Sequence, residues 1–165
     1  MKKSIRVAII FAGLAMTGSA FADDVVRHKI PNSDFPIAQA VEVPPGKTTV
    51  YLSGAVPTVI DPKAEKGTIA AYGDTEAQTE SVLKSVEKTL DGLGLKMGDV
   101  VKMQAFLVGD PARNGEMDFA GFMKSYTKFF GTAEQPNLPV RSVVKVAGLA
   151  SPAFLVEIEV TAVRP

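Results

Sequence analysis

"FLVEIEVTAV", residues 154–163, alternates without a break. Phe154, Val156, Ile158, Val160 and Ala162 fall on one side, and Leu155, Glu157, Glu159, Thr161 and Val163 on the other. A period of two means a strand, and a strand with one wholly apolar face has to bury that face. Its second face mixes charged and apolar groups, which suits either solvent or the surface of another subunit. On spacing alone, Glu157 and Glu159 read as a solvated strand face.

Working outward, "LPVRSVVKV" (138–146) is a further strand, placed around 140–147, with Arg141 at the start of an otherwise apolar run. "DVVKMQAFLVGD" (99–110) puts Val101, Met103, Ala105 and Leu107 on one side. "TTVYLSG" (48–54) puts Val50 and Leu52 on one face and Thr49, Tyr51 and Ser53 on the other. Two helices are predicted between these strands. In the first, Val82, Val86, Leu90 and Leu93 recur at helical spacing, Thr75 and Gln78 have capping-box spacing, and Gly92 and Gly94 end it. In the second, "MDFAGFMKSYTKFFG" (117–131), the residues Phe119, Phe122, Met123, Tyr126, Phe129 and Phe130 make one apolar stripe that stops at Gly131. Such a stripe reads as core rather than as a ligand box. Residues 56–74, rich in Pro, Gly and charge, read as a loop with room for a short strand. With no repeat and no internal linker, the order strands, helix, strand, helix, strands gives one α+β domain with its helices on one face of a sheet.

The first residues are set apart from that domain. Lys2, Lys3 and Arg6 precede the apolar run "VAIIFAGLAM", and "AFA" supplies small residues, the pattern of a secretory leader cleaved after Ala22. The expected plan is a signal peptide over 1–22, an irregular arm over 23–35 and a single domain over 36–165. The mature protein is expected to be periplasmic or secreted and off the membrane. The leader carries three of the 18 basic residues and none of the 18 acidic ones, so the rest has a net charge of −3. That charge offers nucleic acid no basic footprint.

The chain has no cysteine, so disulfides and thiolate chemistry are excluded. His28, the one histidine, reads as a solvated tail residue that can build neither a serine triad nor a histidine metal site. No phosphate-binding glycine loop is present. What remains is Arg141 on one strand and Glu157 on the next. If those strands are antiparallel neighbours, or meet across a subunit boundary, a cation and a carboxylate line one cleft. The guanidinium fork suits a substrate carboxylate, and a glutamate can orient water or carry a proton. From spacing alone, an ordinary structural Arg141–Glu157 ion pair is the better reading.

"PVRSVVKVAGLASPAFLVEI", Pro139 to Ile158, resembles the signature of the RidA family, also called YjgF-like or endoribonuclease L-PSP-like. Its pattern is proline or a small residue, then Arg, alternating apolar positions, a gap, and apolar-Glu-apolar. The likeness extends upstream through "YLSG", "DTEAQTESVLKSVEKTLDGLGLKMGDVVKMQAFLVGD" and "FMKSYTKFFG", and covers the chain from about residue 35. It implies a chorismate-mutase-like α+β fold with two helices on one face of a mixed sheet. It also implies a homotrimer with clefts between subunits. The implied activity is hydrolysis of enamines and imines such as 2-aminoacrylate to 2-oxo acids and ammonia, with no metal and no organic cofactor. By the same likeness, Arg141 binds the substrate carboxylate and Glu157 positions water. Gly54 lines the cleft with its backbone, as does Val143, which stands where many members have cysteine. Ile37 stands where many deaminases have tyrosine, and Met123 where asparagine is common, so both make the cleft less polar. Two other functions stand beside this one: a non-catalytic trimer that captures small carboxylates, and a ribonuclease or translation inhibitor, which the charge and the leader oppose.

Overall fold

A computed structural model describes residues 24–165. The predicted leader, residues 1–22, lies outside the described residues. None of the described helices is long and apolar enough to cross a membrane.

The predicted strands form a four-stranded sheet: β3 (Thr49–Ala55), β4 (Val100–Val108), β5 (Val140–Val146) and β6 (Val156–Val163). Their spatial order is β3-β6-β4-β5. β6 runs antiparallel to both β3 and β4, while β4 and β5 are parallel, so the sheet is mixed. β4 therefore separates β5 from β6, and Arg141 and Glu157 are not on neighbouring strands.

Two further strands occupy sequence that carries little hydrophobic pattern. β1 (Val26–Lys29) and β2 (Ala38–Glu42) form a separate antiparallel ribbon. The segment 23–35, predicted to be irregular, thus contains a strand. It is tied down by Arg27, whose Nη2 donates to the carbonyls of Gly98 (2.8 Å) and Val100 (3.1 Å) and whose Nε donates to Leu138 O (3.2 Å). His28 lies in this ribbon, exposed and 2.7 Å from Glu42 Oε1. The ribbon reaches the main sheet where Ala38 N donates to Pro139 O at 2.9 Å.

The predicted helices are α2 (Thr75–Gly92) and α3 (Phe119–Tyr126), and the loop before them holds a one-turn helix, α1 (Ile69–Tyr72), in place of a strand. Asp74 caps α2, its side chain accepting from Ala77 N at 2.9 Å, so Thr75 is the first helical residue rather than the cap. The helix ends where Gly94, at φ +71°, lets Leu95 N–H turn back to Leu90 O and its own N–H to Asp91 O. Gln78 also has another role than capping. It is fully buried, donates to Gly73 O and Ala153 O, and accepts from Leu155 N at 2.7 Å. A buried amide with these bonds satisfied staples α2 to the chain entering β6.

Helices and sheet enclose Val82, Leu83, Val86, Leu90, Met103, Ala105, Leu107, Phe122, Tyr126, Val156, Ile158 and Val160, all at most 3 % exposed. Burial of each large side chain contributes about 1.5–3 kcal/mol. α3 is fixed to α2 by Ser125 Oγ donating to Glu76 O (2.7 Å) and by the ion pairs Lys124–Glu76 and Lys128–Glu80. Lys128 and Lys84 hold the Glu80 carboxyl down at about 2. Gly121 allows the helices to approach, because a Cβ there would strike the Asp118 carboxylate and lie 3.3 Å from Glu76 N.

Candidate active site

Register fixes which face each candidate occupies. Arg141 is opposite Met103 on the parallel β4–β5 ladder, and Glu157 is opposite Phe106 on the antiparallel β4–β6 ladder. Met103 and Phe106 are three residues apart on one strand, so they point to opposite faces. Arg141 accordingly projects to the helix side and Glu157 to the open side. The structural Arg–Glu pair that spacing favoured does not form.

The Arg141 guanidinium lies among aromatic rings. Its Cζ is 4.1 Å from the Tyr126 ring centroid, 5.2 Å from Phe122 and 5.5 Å from Phe35. Among the described residues no carboxylate pairs with it, and its Nη1 is buried with no hydrogen-bond partner. Burial pulls its pKa below the ordinary arginine value, with Tyr126 opposing. A guanidinium is effectively always protonated, so this is a desolvated cation without a counter-ion. The Tyr126 ring meets the cation with its face, and its hydroxyl donates elsewhere, to Pro36 O at 2.8 Å. Burial pushes that phenol up to about 12.

The aromatic stripe of α3 is therefore both core and site. Phe119, Phe122, Tyr126 and Phe130 stack in succession, with centroids 6.2, 5.8 and 5.0 Å apart, and the middle two rings floor the arginine. Sequence reasoning assigned the stripe to the core and missed that role; the signal that could have found it is an unpaired arginine combined with an aromatic ladder. Val143 shares the face of Arg141, two residues along, and packs half-buried against the core. Ile37 and Arg141 both line a pocket of ≈ 400 Å³ with Ile30, Ala38, Val140 and Met103. Met123 packs against the core and does not line that pocket. The larger surface cavity, ≈ 560 Å³ between Thr58 and the outer side of α2, includes none of the candidates.

On the open face, Glu157 and Gly54 meet. The β3–β6 register slips between Leu52 and Ala55, so Ser53 and Gly54 form a bulge. A Cβ on Gly54 would collide with Glu157 Oε1. Glycine there is the condition for the carboxylate to hold its place. Tyr51, 79 % exposed, and Val144, 45 % exposed, share this face with half-buried Glu157 and Glu159. The six candidates thus divide: Arg141, Val143, Ile37 and Met123 on the helix side, and Glu157 and Gly54 on the open side. No cluster of three or more His, Asp or Glu side chains among the described residues could hold a metal ion.

A one-sided mixed sheet with an unpaired arginine near its edge and a glutamate seated on a glycine bulge defines a small α+β protein with a distinctive pair of charged groups on its sheet. Residues 27–164 match the family described as Endoribonuclease L-PSP, and the chain belongs to it, within the RidA/YjgF group. It is 33 % identical over 140 residues to a 2-iminobutanoate/2-iminopropanoate deaminase of Salmonella typhimurium, covering 85 % of this chain and 96 % of that one. It is 34 % identical over 137 residues to a RutC family protein of Haemophilus influenzae, covering 83 % and 93 %. The crystal structure of the YjgF gene product from Escherichia coli superposes with a TM-score of 0.55 at 32 % identity, over 82 % of this chain and 93 % of that one. The α+β RidA fold expected from the sequence is the fold observed.

Proposed function

We propose that this protein hydrolyses reactive 2-imino acids and their enamine tautomers to 2-oxo acids and ammonia, as an exported member of its family. The observation that carries the reading is Arg141, a half-buried cation with a buried, unpartnered Nη1 and, among the described residues, no protein carboxylate beside it. A substrate carboxylate supplies the missing anion and, through the guanidinium fork, fixes the neighbouring C=N carbon.

Chemistry then needs one positioned water and one proton carrier. The enamine takes a proton at its β-carbon and becomes the iminium. Water adds to the C=N carbon while a carboxylate, Glu157, accepts its proton and returns it to nitrogen. The carbinolamine C–N bond breaks and ammonia leaves with the electron pair. The hydroxyl gives up its proton to the carboxylate or solvent as the carbonyl forms, returning the proton taken up at the β-carbon. Arg141 and Glu157 occupy opposite faces of one sheet, so a cleft containing both takes them from different copies of the chain. The mixed, uncovered sheet face supports the assembly of copies that this requires, proposed to be a homotrimer. Gly54 and Val143 border the cleft through their backbones, and Ile37, which lines the Arg141 pocket where Met123 does not, reduces its polarity.

The test is hydrolysis of imino acids generated in place from several amino acids. Wild type accelerates ammonia release, and Arg141→Ala, purified as the same folded oligomer, lowers kcat/KM by roughly 10- to 150-fold, the scale of a charge-assisted hydrogen-bonded contact. Equal rates would remove the reading. The other reading is a carboxylate-binding protein without turnover. It is favoured by the apolar Ile37 and Met123, and it is distinguished by saturable 2-oxo acid binding with no imine hydrolysis.

A further inference from the structure

We infer that Phe35 is a positioning residue of the carboxylate site, the outer wall of a three-ring enclosure that holds Arg141 in its binding orientation. This rests on the carboxylate-binding reading of Arg141 given above. Three rings from two parts of the chain surround the guanidinium: Phe122 and Tyr126 from α3, and Phe35 from the segment leading into β2. The α3 rings belong to the core and would be there for packing alone. Phe35 does not: it remains 42 % exposed and lies outside the core cluster.

The segment bearing Phe35 is held from both sides. Phe35 N donates to Ser33 Oγ at 3.2 Å, and Ile37 N turns back to Phe35 O at 2.8 Å. Tyr126 connects the two halves of the enclosure. Its ring is the closest to Arg141, and its hydroxyl donates to Pro36 O, the carbonyl next to Phe35. A core helix thereby straps the outer ring over the cation it already floors.

An arginine side chain has several rotatable bonds, and with no ion pair among the described residues these rings are the groups that hold its head. Faces of aromatic rings attract a cation without consuming its N–H groups. The enclosure therefore limits where the guanidinium can go while leaving donors free for an incoming carboxylate, so less ordering remains to be done on binding.

The experiment measures 2-oxobutanoate binding by calorimetry and 2-iminobutanoate hydrolysis on the full-length, exported protein. Phe35→Leu and Phe35→Ala should weaken 2-oxobutanoate binding and raise KM on the order of tenfold, with kcat changed much less. Phe35→Tyr should restore both, because an aromatic face is required and apolar bulk is not. Tyr126→Phe, which keeps the ring and cuts the strap, should move KM in the same direction. If Phe35→Leu matches wild type while Arg141→Ala loses binding, the enclosure is overturned and the carboxylate reading stands. Tighter binding by Phe35→Ala would make Phe35 an obstruction and overturn the inference as well. If Arg141→Ala binds 2-oxobutanoate like wild type, the reading beneath it falls and the inference with it.

Discussion

Arg141 and Glu157 belong to one four-stranded sheet but face opposite sides of it, with β4 between their strands. Neither can neutralise the other within a chain. On the proposed function each is one half of a site whose other half comes from another copy, and this division organises the expectations that follow.

Arg141 carries a stability cost for a binding gain. Its Nη1 is buried without a partner, and a buried unsatisfied group of this kind costs about 1–3 kcal/mol. Arg141→Met keeps the apolar stem over Tyr126 and removes the cation. It is expected to raise the urea midpoint slightly, the unfolding free energy gaining at most about 1 kcal/mol after the lost ring contacts are subtracted, while abolishing 2-oxo acid binding. A lowered midpoint would show the arginine to be a structural group.

Gly54 is expected to act on Glu157. Because a Cβ at Gly54 would occupy the place of Oε1, Gly54→Ala must displace the carboxylate. kcat for imine hydrolysis should drop by about tenfold or more, with 2-oxobutanoate affinity close to wild type, since Arg141 lies on the other face. An unchanged kcat would show that the carboxylate does not work from this position.

Tyr126 sets an alkaline limit on stability. Its folded pKa is raised from 10.0 to about 12 by burial. A raised value means that the neutral phenol is the form the fold favours. The stabilisation is thus complete below pH 10 and is lost as the pH climbs from there toward about 12, where it amounts to about 2–3 kcal/mol. The phenolate absorbance difference between wild type and Tyr126→Phe should emerge only near pH 12. The denaturation midpoint of wild type should fall more steeply than the variant's across that window. A difference emerging near pH 10 would mean that Tyr126 is solvated.

Much of this architecture is legible in the sequence, for physical reasons. β4, β6 and the two longer helices bury one face and β3 and β5 half-bury one, and that burial leaves a period that can be read. β1 and β2 are mostly exposed, so no such period marks them. Gln78 has capping-box spacing from Thr75, a local pattern, whereas two of its three partners, Ala153 and Leu155, lie more than seventy residues away. The site was half legible for a similar reason. Arg141 and Glu157 stand out as residue types in strands, and Gly54 only through the family resemblance, but the parallel insertion of β4 between β5 and β6, which sends them to opposite faces, is a property of topology. Phe35 fell in a segment read as an irregular arm, and only the folded chain brings it beside Arg141.

The central claim, that a working cleft takes Arg141 from one copy and Glu157 from another, has a direct test in mixed oligomers. Arg141→Ala and Glu157→Gln are each expected to keep about a tenth or less of wild-type activity. Refolding them together in equal amounts should form some clefts with both native residues, and random assembly should recover roughly a quarter of wild-type activity. Mixed oligomers, verified by mass, that remain as inactive as either variant alone would contradict the account.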